Sequence, residues 1–284
     1  MRHGFIKTAA GTPKIQVADC VYNAGEILKL IRQMETEGAK IMAFPELCIT
    51  GYTCSDLFLQ RRLLDGALTA LRTVMEASRK LSLLTVAGLP LTVEDKLYNC
   101  AAVIFQGEIL GVVPKTNLPN YNEFYEKRHF VPAPAENTVC RLFGKEVPFG
   151  SKLLFCCDTL SELKVAVEIC EDLWSPIPPS NYHALAGATI IANPSASNEV
   201  IGKDAYRKEL VGGQSGRLVC GYIYASAGEG ESTTDLVFSG HNLIAENGAI
   251  LAESRLFHNS LTISELDVQR LSGERRRLSS FPAV

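Results

Sequence analysis

The sequence has no apolar run long enough to cross a bilayer, which takes about 20 consecutive and mostly apolar residues. No stretch of that kind occurs among its 284 residues. Residues 1–14 also lack the apolar segment of a secretory signal peptide. Both absences predict a cytoplasmic protein with no membrane partner.

The sequence also lacks a surplus of positive charge. It has 28 Lys and Arg residues against 31 Asp and Glu residues, so its formal net charge is -3. Domains that bind nucleic acid or anionic membrane surfaces usually concentrate basic residues. We therefore expect no nucleic-acid partner.

Several familiar site motifs are absent. The nine cysteines include no CxxC pair and no Cys/His spacing typical of zinc, so no metal site is predicted. There is no GxSxG serine elbow. The glycine-rich stretches VGGQSG and GEGEST do not follow strands in a phosphate-binding pattern. In a reducing compartment, most of these cysteines are expected to be small buried hydrophobes.

The residues that are present alternate between strand and helix patterns. About ten strands and four or five helices are predicted, with a long irregular stretch at 116–150 and hairpins turning at 106–107 and 247–248. Apolar runs without strict alternation predict an α/β protein whose strands are covered by helices. Residues 1–272 are expected to form one domain. Residues 273–284 read as a polar surface tail or the beginning of a linker, with 275–277 solvated.

Three of the predicted strands end at a chemically capable side chain. Glu46 follows IMAFP, Lys115 follows ILGVVP, and Cys170 ends LKVAVEIC. At the edge of a sheet, a carboxylate could act as a base, an ammonium could stabilise an oxyanion, and a thiol could act as nucleophile. Taken singly, each also fits a structural role: a salt-bridged glutamate, a surface lysine and a buried cysteine. A Cys–His pair using His129 or His183 remains open.

Taken together, the segments FPELCITGY, VPKTNLPNY and EICEDLW resemble those of the nitrilase (carbon–nitrogen hydrolase) family over about residues 3–270. The resemblance implies a four-layer α-β-β-α sandwich, of the kind that forms homo-oligomers. It implies that Glu46 is the general base, Cys170 the nucleophile and Lys115 an oxyanion stabiliser. The backbone N–H of Glu171 would be a second oxyanion donor.

Within that family, the phrases KTNLPNYNEFYEKRHF and NPSASNEVIGK are similar to those of the glutaminase domains of glutamine-dependent NAD synthetases. This similarity implies that Tyr121, Ser197 and Lys203 bind the amino and carboxylate groups of glutamine. Lys203 stands where an arginine is more familiar, and a lysine lacks the bidentate fork. Glu126 would orient Lys115 or bind the substrate amine, or else pair with Arg128 or Lys127.

Two further residues, Tyr52 and Trp174, would wall the pocket in this comparison, although plain core packing is the alternative for both. The resemblance implies no cofactor in this domain. ATP and nicotinic acid adenine dinucleotide would be used only by a C-terminal synthetase domain, whose Ser-Gly-Gly-rich loop is absent from these residues. Two other hypotheses stay open: a free-standing amidase or carbamoylase for another small amide, and a non-catalytic oligomerisation module.

Overall fold

The structure, a computed structural model, describes residues 3–281, and these form fourteen β-strands and six α-helices. The strands are β1 Phe5–Gly11, β2 Ile41–Ala43, β3 Leu84–Val93, β4 Lys96–Phe105, β5 Glu108–Pro114, β6 Thr138–Leu142, β7 Lys145–Phe149, β8 Phe155–Cys156, β9 Lys164–Val167, β10 Ile190–Ser195, β11 Gly221–Ser226, β12 Leu243–Glu246, β13 Ala249–Glu253 and β14 Leu261–Asp267. The helices are α1 Cys20–Thr36, α2 Arg61–Ala77, α3 Glu171–Trp174, α4 Pro179–Leu185, α5 Lys203–Leu218 and α6 Val268–Arg277. No helix within the described part combines the length and apolar composition needed to span a membrane.

The strands form two sheets. The larger has eight strands in the order β14-β1-β2-β3-β4-β5-β7-β6, and the smaller has six in the order β13-β12-β11-β10-β9-β8. Strands β1, β2 and β3 run parallel to one another, as do β9, β10 and β11. Parallel neighbours carry their C-terminal ends to the same edge of a sheet, which is where the three candidate residues were expected.

Side chains alternate between the two faces of each sheet, as the pleat requires. In β4, Ala101 and Val103 join a core that also contains Val165, Val167 and Ile190 of the smaller sheet, so this core lies between the sheets. The intervening β4 residues instead face α1 and α2 on the outside of the larger sheet. A third cluster packs α4 and α5 on the outside of the smaller sheet. The expected four-layer α-β-β-α sandwich is thereby confirmed.

The irregular stretch expected at 116–150 contains a hairpin, because β6 and β7 pair through a turn at residues 143–144. Sequence inspection missed it because these edge strands carry exposed charged residues on one side. Strand β8 is only two residues long, and the strand expected to reach Cys170 ends at Val167. The hairpin turns predicted at 106–107 and 247–248 are confirmed.

The polar tail expected from residue 273 differs from the structure, since α6 continues to Arg277. The Arg275 guanidinium is not solvated. It donates to the backbone oxygens of Ala188, Leu218 and Val219 at 2.7, 2.9 and 3.0 Å. Two of those carbonyls terminate α5, where the last turn has no intrahelical donors. The expectation of a linker to another domain stays a prediction, and residues 282–284 lie outside the described part.

Candidate active site

A buried cluster of ionisable groups joins the first two candidate residues. The Lys115 Nζ lies 2.6 Å from Oε1 of Glu46 and 2.6 Å from Oε1 of Glu126, and all three side chains are nearly inaccessible to solvent. Lys115 directly follows β5, and its ammonium sits between two carboxylates from separate loops. An ammonium has three N–H donors, so one remains after these two contacts.

Burial and charge act in opposite directions in this cluster. Burial lowers the pKa of Lys115, but the negative charges of Glu126 and Glu46 outweigh that effect and hold the pKa well above its ordinary value. Lys115 is therefore charged at neutral pH. Burial raises the pKa of Glu126 to about 7, against the opposing effect of Lys115. Two carboxylates competing for one ammonium leave Glu126 able to carry a proton near neutrality.

Glu46 is held in place by the backbone around it. Its Oε2 accepts from the Ala196 N–H at 2.9 Å, and its own N–H donates to the Ser195 carbonyl at 3.3 Å, so the end of β10 fixes it. The chain around Glu46 passes so close to β3 that a Cβ at Gly88 would lie 2.2 Å from the Leu47 nitrogen. Only glycine permits this approach.

Cys170 lies in a sharp turn between β9 and α3. Its backbone has φ 44° and ψ -100°, a conformation that is sparsely populated for any residue with a side chain. The strain is held by its N–H, which donates to the Pro194 carbonyl and to Asn193 Oδ1, both at 3.0 Å. Strain of this kind concentrates at functional sites, and here it turns the thiol away from the strand direction.

The Cys170 thiol is electrostatically coupled to the ionised cluster. Burial raises its pKa, Glu46 raises it further, and Lys115 opposes both, leaving the pKa well above the ordinary value. The resting group is therefore a thiol, and reaction requires a base to remove its proton. The Ala196 N–H donates to Glu46 Oε2 at 2.9 Å and acts to lower the pKa of the thiol. The Glu171 N–H heads α3 and has no acceptor within that helix.

The remaining predicted site residues surround this centre in two groups. Tyr121 is half exposed, and its hydroxyl donates to Glu171 Oε1 at 2.8 Å. Lys203 begins α5, donates to Asn198 Oδ1, and lies 5.0 Å above the centre of the Trp174 ring. Burial lowers the pKa of Lys203.

Ser197 is buried beside Arg207, which places a hydrogen-bond donor 3.5 Å from its hydroxyl oxygen. Trp174 is half-buried, and its ring stacks at a tilt on Tyr206 with 5.5 Å between the ring centres. The expected pairing of Glu126 with Arg128 does not occur. Arg128 instead binds Asp56 through two hydrogen bonds, of 2.7 and 2.8 Å.

A cavity of about 260 Å³ opens beside the cluster. Tyr52 and Glu126 belong both to its lining and to the cluster, since the Tyr52 hydroxyl donates to Glu126 Oε1 at 2.9 Å. Cys170 does not line this cavity and is 6% exposed. The candidate nucleophile therefore lies outside the cavity lining and is nearly inaccessible to solvent.

Comparison with known proteins settles the family. A sequence model of the carbon–nitrogen hydrolase family matches residues 7–276. The chain belongs to the carbon–nitrogen hydrolase family.

Similar proteins refine this placement. The chain is 43% identical over 282 residues to the glutamine-dependent NAD(+) synthetase of Mycobacterium tuberculosis, with 99% of this chain and 42% of that protein covered. It is 32% identical over 248 residues to the Thermotoga maritima synthetase, covering 87% of this chain and 39% of that protein. The chain spans about two-fifths of the length of these curated relatives.

Solved structures agree with the fold. A glutamine-dependent NAD(+) synthetase from Cytophaga hutchinsonii superposes with a TM-score of 0.83 at 29% identity, covering 92% of this chain and 43% of that one. An amidase from Nesterenkonia sp. superposes with a TM-score of 0.73 at 21% identity, covering 98% of both chains. At that identity the amidase shares the carbon–nitrogen hydrolase fold, and the similarity supports nothing more.

Sequence reasoning missed three buried residues that hold the site together. Asn99 donates to Glu46 Oε1 at 2.6 Å. Asp172 accepts from the N–H groups of Asn117 and Ile169 at 2.7 and 2.9 Å, so one carboxylate joins the segment after Lys115 to the turn before Cys170. Asn193 supports the Cys170 turn. A polar residue inside an apolar strand, such as Asn99 in LYNCAAV, was the only signal in the sequence.

Proposed function

We propose that this chain is a glutamine amidohydrolase unit that releases ammonia through a thioester on Cys170. The observation that carries the proposal is a buried thiol whose pKa is acted on by a buried carboxylate and a buried ammonium, which are themselves paired at 2.6 Å. A cysteine nucleophile needs an adjacent base and an oxyanion site, and these three groups supply both.

The steps follow from the positions of the groups. Glu46 removes the Cys170 proton as Sγ attacks the side-chain amide carbon, and the carbonyl oxygen becomes an oxyanion. The unused Lys115 N–H and the Glu171 N–H stabilise that charge. Glu46 returns the proton to the leaving nitrogen, so ammonia departs and a thioester remains. Water, deprotonated by Glu46, then cleaves the thioester to glutamate and the free thiol.

Glutamine is proposed as the substrate because the surroundings suit a free α-amino acid. Lys203 supplies a cation for the carboxylate, while Tyr121 and Ser197 supply hydroxyls. Glu126 holds Lys115 in position and, with Tyr52, borders the cavity through which the side chain would enter. Trp174 forms an apolar wall behind Lys203. The 43% identity to a glutamine-dependent synthetase supports the same assignment.

The wider setting is proposed on the same similarity. The ammonia would be used by a C-terminal NAD synthetase domain, which would use ATP to activate nicotinic acid adenine dinucleotide and amidate it. This unit would need no cofactor of its own and would assemble into homo-oligomers. The alternative is a free-standing amidase or carbamoylase acting on another small amide.

A substrate panel separates these two functions. We expect the purified chain to release ammonia from glutamine with a kcat/KM at least about 100-fold above that for butyramide or an N-carbamoyl amine, because those compounds cannot use the groups that hold an α-amino acid. Ammonia and glutamate would be measured in parallel to confirm equal amounts. Equal or faster turnover of the simple amides would contradict the glutaminase function and favour the amidase.

A further inference from the structure

Two buried carboxylates share one ammonium, and their hydrogen bonding is unequal. Glu46 accepts from Lys115 and Asn99 at 2.6 Å on Oε1 and from the Ala196 N–H at 2.9 Å on Oε2. Glu126 accepts from Lys115 and from the Tyr52 hydroxyl on Oε1, while its Oε2 has only the Asn99 nitrogen at 3.5 Å. Hydrogen bonds to a carboxylate favour its ionised form, and Glu46 receives the shorter and more complete set of the two.

The orientation of the Asn99 amide is fixed by chemistry. An ionised carboxylate only accepts hydrogen bonds, so the amide nitrogen must face Glu46, because the amide oxygen at 2.6 Å would be repelled. As a consequence, Asn99 Oδ1 is buried without a hydrogen-bond partner among the described residues. An unpaired buried acceptor is destabilising. The amide nitrogen is committed to the two carboxylates, Glu46 and Glu126.

We propose that Asn99 is a positioning residue that keeps Glu46 ionised and commits its Oε1 to Lys115, so that Oε2 remains to take the Cys170 proton. This inference rests on the proposed function and adds a residue to it. Oε1 has both of its in-plane acceptor positions filled by Lys115 and Asn99. Oε2 accepts only from the Ala196 N–H among the described residues, so one acceptor position remains on the carboxylate whose charge acts on the Cys170 thiol. Glu126 is thereby the carboxylate that carries a proton near neutrality.

Several other ionisable groups act on Glu46 and enter any pH profile of this centre. They come from the loops after β2, β5, β9 and β11 and from the segment before β6, and they are Tyr52, Lys115, Glu126, Cys170, Glu171 and Glu231. All of them remain in a variant changed only at Asn99. A change in the profile of Asn99→Ser, which adds no ionisable group, therefore reports the loss of the amide itself.

The test uses Asn99→Asp, which keeps the shape of the side chain and replaces the donor to Glu46 by a carboxyl group. Asn242→Asp is the matched control. Asn242 is also fully buried and hydrogen-bonded, but to Thr12 and Ser226 away from this cluster. The readout is the rate at which iodoacetamide alkylates Cys170 between pH 5 and 9, located by peptide mass mapping. This rate follows the thiolate that forms when Glu46 accepts the proton.

We expect Asn99→Asp to move the acid limb of the Cys170 alkylation profile upward by about one to two pH units. Losing a hydrogen bond to a charged group shifts its titration by about that amount. At a fixed pH on that limb, alkylation should fall about tenfold or more, and Asn242→Asp should leave the profile in place. Asn99→Ser, which loses the long reach of the amide and adds no charge, should move the limb in the same direction. An unchanged limb, or equal movement in the Asn242→Asp control, overturns the proposal.

Glutamine turnover by the unmodified chain separates this proposal from the one it rests on. If the chain turns over no glutamine but the alkylation limb moves in Asn99→Asp, the glutaminase function fails and the role of Asn99 stands. If the chain turns over glutamine and the limb does not move, the function stands and the role of Asn99 fails.

Discussion

Replacing Cys170 by alanine is expected to abolish glutamine hydrolysis and leave the fold in place. The substitution removes the only atom that can form the thioester, so turnover should fall by at least about 10³-fold. The backbone hydrogen bonds from Cys170 N–H to Asn193 and Pro194 do not involve the thiol and remain. Ammonia release and far-UV circular dichroism measured on the same preparation would check both parts.

The control for this variant is Cys220→Ala. Cys220 is also a buried thiol, but it precedes β11 in the core outside the smaller sheet. Both substitutions remove one sulfur from a packed interior, so both should lower stability by about 1 kcal/mol or more. Only Cys170→Ala should lose turnover. A Cys170→Ala protein that keeps a tenth of the original rate would contradict a thioester on this residue.

Replacing Lys115 by methionine is expected to reduce turnover at least as severely as the loss of one oxyanion donor, which costs about 10²- to 10³-fold. The change also leaves Glu46 and Glu126 facing one another without a cation, so it should destabilise the fold by about 3–5 kcal/mol, the usual cost of breaking a buried ion pair. The measurements are kcat for glutamine and the urea midpoint of unfolding.

Two comparisons identify the cause. Lys145→Met removes an exposed pair with Glu108 and should change stability by less than about 1 kcal/mol, with no effect on turnover. Adding Glu126→Gln to Lys115→Met removes one of the two opposed carboxylates, so it should recover part of the stability but none of the activity. If the double variant recovered turnover together with stability, Lys115 would be structural, contrary to the oxyanion role.

The layered fold was accessible from the sequence because apolar strands and amphipathic helices alternate along most of the chain. The hairpin turns at 106–107 and 247–248 were both predicted at their observed positions. The hairpin β6–β7 was not, since its strands alternate apolar residues with exposed charged ones at a sheet edge. Arg275 was also misjudged, because its carbonyl partners lie at the end of α5 and in the turn before β10, distant in sequence.

The convergence of Glu46 and Lys115 was expected from their positions after strands, and the structure joins them at 2.6 Å. The second contact of Lys115, with Glu126, was expected only through family resemblance. Asn99 was not found, because an asparagine in a strand has many structural uses and its contact to Glu46 depends on side-chain direction. The strained backbone of Cys170 is likewise a consequence of tertiary hydrogen bonds and has no signature in sequence.

The central claim is that Cys170 is the nucleophile for glutamine, and covalent trapping tests it most directly. The intact chain would be treated with a glutamine analogue bearing an electrophile at the amide position, and the adduct counted by intact mass and located by peptide mapping. If solvent exposure of the thiol alone decided the reaction, the analogue would modify exposed Cys156 before buried Cys170. The account predicts one adduct per chain, on Cys170, that forms more slowly in the presence of glutamine. An adduct on Cys156 or another cysteine, or no protection by glutamine, would contradict it.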